Sequence, residues 1–181
     1  RTRKPFAQVL KENILVPLGM TRTLSPGQSN ALPAPYMRGV TLQAYPEDTI
    51  KDATEWNPSW GFSAGDMIST LDDLRRWAVA LGTGEGLVSS EMQKQREASM
   101  ISSVPPNSPS MAYALGFGVS NGWIGHTGEL PGFNTSVQYD PRTGTVVVVM
   151  VNSDIPAASA SGQAIDPAPT ISGELIATLA A

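Results

Sequence analysis

One stretch places chemistry-bearing side chains close together: Trp123-Ile124-Gly125-His126-Thr127-Gly128-Glu129-Leu130-Pro131-Gly132-Phe133-Asn134-Thr135, which holds the only histidine of the chain. On an extended backbone alternate side chains face opposite ways, so His126 and Gly128 share one face and Thr127 takes the other. Gly128 has no Cβ, so a ligand or another backbone can approach it closely. If this segment is an edge strand, its backbone N–H groups are donors for a substrate carbonyl or a developing oxyanion. His126 adds a proton-transfer group or a positive charge, and Thr127 a hydroxyl that can bind a carboxylate. The same residue types also occur in ordinary hydrogen-bonded turns, so the surrounding elements have to decide between the readings.

Composition narrows the choice. The chain has 181 residues, 41% hydrophobic and 15% charged, which suits a domain with a sizeable core and not a disordered segment. A formal net charge of −4 argues against a nucleic-acid surface. Without cysteine there is neither a disulfide nor thiol catalysis. Asp66, Asp72, Asp73 and Glu129 lack histidine or cysteine partners in the sequence, so neither a zinc site nor any cofactor is expected. No run of 18 apolar residues offers a membrane span.

The elements that must position the stretch follow from periodicity. Pro5 suits a first helical turn, and Phe6, Val9, Leu10 and Ile14 recur at helical spacing, which predicts a helix from Pro5 to Asn13. Thr21 to Leu24 reads as a short strand. Between Ser25 and Trp60 prolines dominate, and Tyr36, Tyr45, Trp56 and Trp60 predict a long loop pinned by its aromatics over a core or cleft. The clearest helix begins at Thr70 as N-cap, with Asp73 in the capping-box position. Its apolar stripe is Leu71, Leu74, Trp77, Ala78 and Leu81, and Gly82 and Gly84 end it. A second helix starts at Ser89 or Ser90 and runs towards Ala98. After the connector Val104–Ser110 the period changes to two. Strands are expected at Tyr113–Val119, Trp123–Gly128, Asn134–Tyr139 and Val146–Val151, the last buried on both faces. Asp140-Pro141-Arg142-Thr143-Gly144 is a tight hairpin turn. Ile155–Thr170 reads as a surface loop, and Ile171–Ala180 as a terminal helix with Leu175, Ile176 and Leu179 facing the sheet. The fold class is therefore α+β, an antiparallel meander flanked by helices.

Taken in order, these elements resemble the C-terminal part of the serine β-lactamase and penicillin-binding protein family, closest to its D-alanyl-D-alanine carboxypeptidase and class C β-lactamase-like branch. Three places carry the resemblance. Pro5-Phe6 through Asn13-Ile14-Leu15-Val16-Pro17-Leu18-Gly19-Met20 looks like that family's helix and following turn. Ser63-Ala64-Gly65 with Ile68-Ser69-Thr70, Asp73-Leu74 and Trp77 looks like its next helix. His126-Thr127-Gly128 matches its third active-site motif, Lys/His-Thr/Ser-Gly.

The resemblance implies a β-lactamase/DD-peptidase-like fold and a serine acyl hydrolase acting on D-alanyl peptides, β-lactams or esters. It implies that His126 keeps the pocket electropositive and bonds towards the nucleophile's proton network. Thr127, beside Gly128, would hold the substrate carboxylate, and the backbone N–H of Glu129 would form half of an oxyanion hole. Losing one such donor typically costs ~10²–10³ in turnover. It also implies an extracytoplasmic location in the periplasm or cell envelope.

The family's Ser-x-x-Lys and Tyr-x-Asn motifs do not occur in these 181 residues; Ser90 to Lys94 has one residue too many and stands in the wrong order. The expectation is a single partial domain, 1–181, whose nucleophile-bearing part lies elsewhere. Bare faces would then make it pair with a missing N-terminal half or dimerise. The competing reading is a non-catalytic relative that binds a peptide or partner protein along the exposed edge near His126.

Overall fold

The computed structural model describes residues 2–46, 48–158, 162 and 164–180. Along the chain, helix α1 (Phe6–Leu10) runs into a π-helical turn (Lys11–Leu15). Strands β1 (Val40–Thr41) and β2 (Lys51–Asp52) follow, then a 3₁₀ turn (Pro58–Gly61). Helices α2 (Phe62–Gly65), α3 (Leu71–Thr83) and α4 (Ser90–Ala98) come next. Strands β3 (Met111–Ala114), β4 (Phe117–Ser120), β5 (Trp123–Leu130), β6 (Phe133–Tyr139) and β7 (Val146–Val151) form a five-stranded sheet in sequence order, the expected meander. A small pair, β8 (Ala157–Ala158) and β9 (Ala164–Ile165), precedes helix α5 (Pro167–Leu179). The chain divides into two compact units. One comprises residues 1–22, 70–126 and 137–148, the other 23–69, 127–136 and 149–181.

The first unit is built on α3. The Thr70 hydroxyl accepts the Asp73 N–H, and Gly84 closes the helix in the left-handed region at φ 76°, as the sequence predicts. Trp77 is the shared contact of three apolar clusters. Leu10, Leu15 and Met20 lie on one side of it. Leu81, Ala114, Phe117 and Ile124 form the second cluster, and Ala78, Val137 and Tyr139 the third. Two expectations change here. Leu71 is exposed, outside the buried stripe. Gly82 does not end the helix: a Cβ there would stand 2.2 Å from the Tyr139 ring, so the glycine is a point of close helix–strand approach.

The expected helix Pro5–Asn13 continues to Leu15 through the π turn, whose Val16 N–H reaches the Lys11 carbonyl. The expected single strand Tyr113–Val119 is a hairpin instead. Leu115-Gly116, with Gly116 at φ 81°, turns β3 onto β4. Asn121-Gly122, both at positive φ, turns β4 onto β5 in the manner of a type I′ turn. Ser89 caps α4 by accepting the Met92 N–H. The Asp140–Gly144 turn is as expected: Asp140 accepts from the Arg142 backbone and guanidinium and from the Thr143 hydroxyl. Along β7 burial alternates, with Val147 and Val149 buried and their neighbours half-buried, so the strand is not enclosed on both faces.

Within the second unit a set of polar contacts ties distant segments together. Asp154 is buried and accepts from the Thr41 hydroxyl, the Gln43 amide and the Gly132 N–H. Thr54 accepts the Gly39 N–H, and Asn152 donates to the Arg38 carbonyl. The aromatics do not pin this loop. Tyr45 is 92% exposed and Trp60 68%, because hydrogen bonds and the β1–β2 pair already hold the backbone. Thr21–Leu24 forms no strand beyond a single bridge from Leu24 to Ile68. Within the expected loop Ile155–Thr170 lie β8, β9 and the start of α5, whose Ala168 N–H is capped by the buried Asn134 side chain from β6. The parts of that expectation at residues 159–161 and 163 lie outside the described residues. The expected sheet-facing side of the helix is corrected too: Leu175 and Leu179 are exposed, together with Ile171, while Ala168 and Ser172 are buried.

Candidate active site

The strand carrying the histidine is central in the sheet, between β4 and β6, and not at an edge. What uncovers it is a difference in length. β4 pairs with β5 through Ser120–Trp123, Val119–Ile124 and Gly118–Gly125, and β4 itself begins at Phe117. Beyond His126, β5 outruns β4. Burial follows the same break: Trp123, Ile124 and Gly125 are buried, whereas His126, Thr127, Gly128 and Glu129 are all exposed. Strict alternation, which would have placed His126 and Thr127 on opposite faces with one of them covered, does not hold here.

Gly125 supplies the local reason. A Cβ on it would lie 1.9 Å from the Val137 carbonyl oxygen of β6, so at this residue the side-chain direction points at the neighbouring strand and not away from the sheet. A strand distorted in this way loses its regular facing, as at a bulge. By register His126 belongs to the row of Ala114 and Phe117, both buried. After the distortion at Gly125 it instead meets Tyr113, on the row of Gly118 and Gly125. The Tyr113 Oη lies 2.8 Å from His126 Nε2, and the two rings meet edge-on with centroids 5.7 Å apart. Tyr113 is the residue that sequence reasoning missed. The signal that could have found it is the Leu115-Gly116 turn, which folds β3 back onto β4 and sets its register towards β5.

The boundary between the two compact units falls inside β5, between His126 and Thr127. Within the second unit a Cβ on Gly128 would meet nothing within 4 Å, and Gly128 does not adopt positive φ. Neither backbone conformation nor the chain's own packing calls for glycine there, so the bare face at Gly128 is open to a group from outside the chain. The Glu129 side chain accepts from Gln43 Nε2 at 3.1 Å. Burial, then the nearby carboxylates Asp166 and Asp154, raise its pKa, against the Gln43 hydrogen bond. The backbone N–H of Glu129 lies in the stretch that outruns β4.

A surface hollow of about 360 Å³ lies in the same unit, lined by Tyr36, Arg38, Asp52, Thr54, Glu55 and Trp56. Hydrogen bonds from Thr54 and Arg38 lower Asp52 to about 2. Among the described residues no group of three His, Asp or Glu is placed to hold a metal, and no helix is long and apolar enough to cross a membrane.

Residues 1–167 match the Beta-lactamase family, and the chain belongs to it. Among solved structures it is similar to a D-stereospecific amidohydrolase from a Streptomyces species, at 25% identity over 84% of this chain with a TM-score of 0.74. It is also similar to the D-amino acid amidase of Ochrobactrum anthropi SV3 in complex with L-phenylalanine amide, at 28% identity over 83% of this chain with a TM-score of 0.67. A penicillin-binding protein from Bacillus halodurans shares the fold over 96% of this chain, at 17% identity and a TM-score of 0.72. The chain spans less than half the length of these structures, 45%, 44% and 49% respectively. Their fold is the α+β arrangement of antiparallel sheet and helices described above.

Proposed function

We propose that this chain is the C-terminal portion of a serine acyl hydrolase domain and supplies one wall of its active site, the His126–Glu129 stretch. One observation carries the reading. The third-motif residues His126-Thr127-Gly128 and the Glu129 that follows them are exposed on a strand that outruns its neighbour, and the chain's own packing does not require the glycine among them. In this reading the Glu129 N–H is a donor to the carbonyl oxygen as it becomes an oxyanion. Thr127 binds a polar substrate group beside it, and His126 contributes a donor to the proton network of the nucleophile. The nucleophile and its base belong to a part of the domain outside these 181 residues, since neither Ser-x-x-Lys nor Tyr-x-Asn occurs in them.

The structures that resemble the chain at 25% and 28% identity bear the names of a D-stereospecific amidohydrolase and a D-amino acid amidase. Their names favour D-aminoacyl amides and related esters as first substrates to test, ahead of D-alanyl peptides and β-lactams. An extracytoplasmic location is part of the same proposal, resting on the family resemblance. The exposed apolar side of α5, Ile171, Leu175 and Leu179, is where this reading places the rest of the domain or a second copy.

The test uses the full-length protein with D-phenylalanine amide, a chromogenic ester and a fluorescent penicillin. Hydrolysis or a covalent adduct that is lost in Thr127→Ala and Gly128→Val supports the proposal. A protein that is inert towards all three, or whose turnover is indifferent to both substitutions, overturns it. The second reading, a non-catalytic relative that binds a peptide along this stretch, draws on the absent nucleophile motif; an upstream Ser-x-x-Lys removes that support.

A further inference from the structure

The Tyr113–His126 pair lies in the first unit, and nothing in the family match assigns a role to the tyrosine. Its placement follows from three features of the sheet. Register puts Tyr113, Gly118 and Gly125 on one row across β3, β4 and β5, and the two glycines leave that row without side chains. The phenol therefore has an unobstructed path over β4; a Cβ on Gly118 would sit 3.8 Å from Tyr113 Cδ2, so the ring lies against that glycine. The distortion at Gly125 then brings the imidazole round to meet the hydroxyl at 2.8 Å.

We propose that Tyr113 is a positioning residue for His126, which fixes the ring's orientation and places the proton of the neutral imidazole on Nδ1. In the assignment proposed, the phenol O–H donates to the unprotonated Nε2 of the neutral ring, which then carries its proton on Nδ1; the opposite tautomer, with Nε2–H donating to the phenol oxygen, is the outcome the experiment below discriminates. In the imidazolium both nitrogens donate, and the Tyr113 oxygen accepts from Nε2–H. The hydroxyl changes role and the ring keeps its place. His126 therefore presents an Nδ1–H donor in both protonation states. A lysine at this position of the motif would be a donor throughout, and the tyrosine gives a histidine the same constancy. The functional meaning rests on the hydrolase reading above; the tautomer assignment does not.

Because His126 is the only histidine, its ring nitrogens can be read without assignment ambiguity. The experiment is a long-range ¹H–¹⁵N correlation on the ¹⁵N-labelled chain at a pH where the ring is neutral, repeated on Tyr113→Phe. The wild type is expected to show a protonated Nδ1 and an unprotonated Nε2. Tyr113→Phe should shift the tautomer ratio towards Nε2–H by roughly five- to tenfold, the scale of one net hydrogen bond. An Nε2–H tautomer in the wild type, or the same ratio in both chains, overturns the proposal.

Should Tyr113→Phe lose the fold, ¹⁹F spectra of the chain carrying 3-fluorotyrosine give a reading that needs no substitution. One of the four tyrosine resonances should move together with the imidazole as the ring titrates, and four that ignore it overturn the pairing. Neither measurement involves hydrolysis. A protein without amidase activity but with the Nδ1–H tautomer refutes the hydrolase reading alone, and an active enzyme with the Nε2–H tautomer refutes the positioning role alone.

Discussion

Gly125 and the Val137 carbonyl are in such close apposition that a methyl group on the glycine would stand 1.9 Å from the oxygen. This approach between β5 and β6 breaks the facing of the strand one residue before His126, and it explains why the exposed stretch starts where it does.

Substitution at that position should therefore be costly twice over. Gly125→Ala has to push β5 off a backbone group that cannot rotate away, and overpacking of this kind costs typically about 1–3 kcal/mol, occasionally more. We expect the upper end of that range in urea unfolding, together with altered ¹⁵N shifts of His126. A stable variant with unchanged His126 resonances would show that the break in facing has another origin.

Gly82→Ala tests the corresponding contact in the first unit. The added carbon would stand 2.2 Å from Cδ1 of the buried Tyr139 ring, in the middle of α3 where alanine is otherwise the better helix former. Steric conflict should outweigh propensity, with a net loss of about 2 kcal/mol in the urea midpoint analysis. A gain in stability would mean that the ring moves aside freely.

Asp154→Ala removes the acceptor shared by the Thr41 hydroxyl, the Gln43 amide and the Gly132 N–H. The Thr41 and Gly132 donors are buried, whereas Gln43 is exposed and keeps Glu129 as a partner. Leaving the two buried donors unpaired costs about 1–3 kcal/mol each, so a loss of about 3 kcal/mol is expected. Amide exchange at Gly132 should accelerate in parallel; unchanged protection there would contradict the role given to Asp154.

Two carboxylates should leave opposite marks on stability against pH. Burial and then the neighbouring Asp166 and Asp154 raise Glu129 in the folded chain. The folded state then binds that proton more tightly than the unfolded one. The contribution of Glu129 is full below its ordinary carboxylate range and is lost as pH rises through the raised value. Asp52 is lowered to about 2 by Thr54 and Arg38, so its contribution is present above the ordinary range and is lost as pH falls towards 2. Thermal unfolding from pH 2 to 8 should show Glu129→Gln flattening the neutral side of the profile and Asp52→Asn flattening the acid side. Profiles that keep the wild-type shape in both variants would refute the assignment.

The isolated chain should self-associate through α5. Ile171, Leu175 and Leu179 stand one helical turn apart along one side and are all exposed. Sedimentation is expected to show an oligomer that Leu175→Lys reverses to monomer; a wild-type monomer at high concentration would contradict this.

Much of the architecture was legible beforehand. Thr70 and Ser89 announced their helices because an N-cap is a local bond between a side chain and an amide two or three residues on. The Asp140 turn was equally local. Tyr113–Val119 is of another kind: an apolar run with glycines reads as one strand unless Gly116 is recognised as a positive-φ turn, and Asn121-Gly122 is the turn signal that separates β4 from β5. For α5, Pro167 at the first turn was a local clue, but the cap that starts the helix comes from Asn134, 34 residues earlier, which no local pattern contains.

The sequence by itself determined which residues bear chemistry, that they sit on an extended segment within an antiparallel meander, and which family they resemble, because residue type, period and capping act over a few neighbours. Only the tertiary structure decided that the strand is central and uncovered by the shortness of β4, that Gly125 turns His126 outward, and that Tyr113 receives it. Those outcomes depend on strand register and backbone approach between segments distant along the chain, and such distances are set by packing and not by spacing.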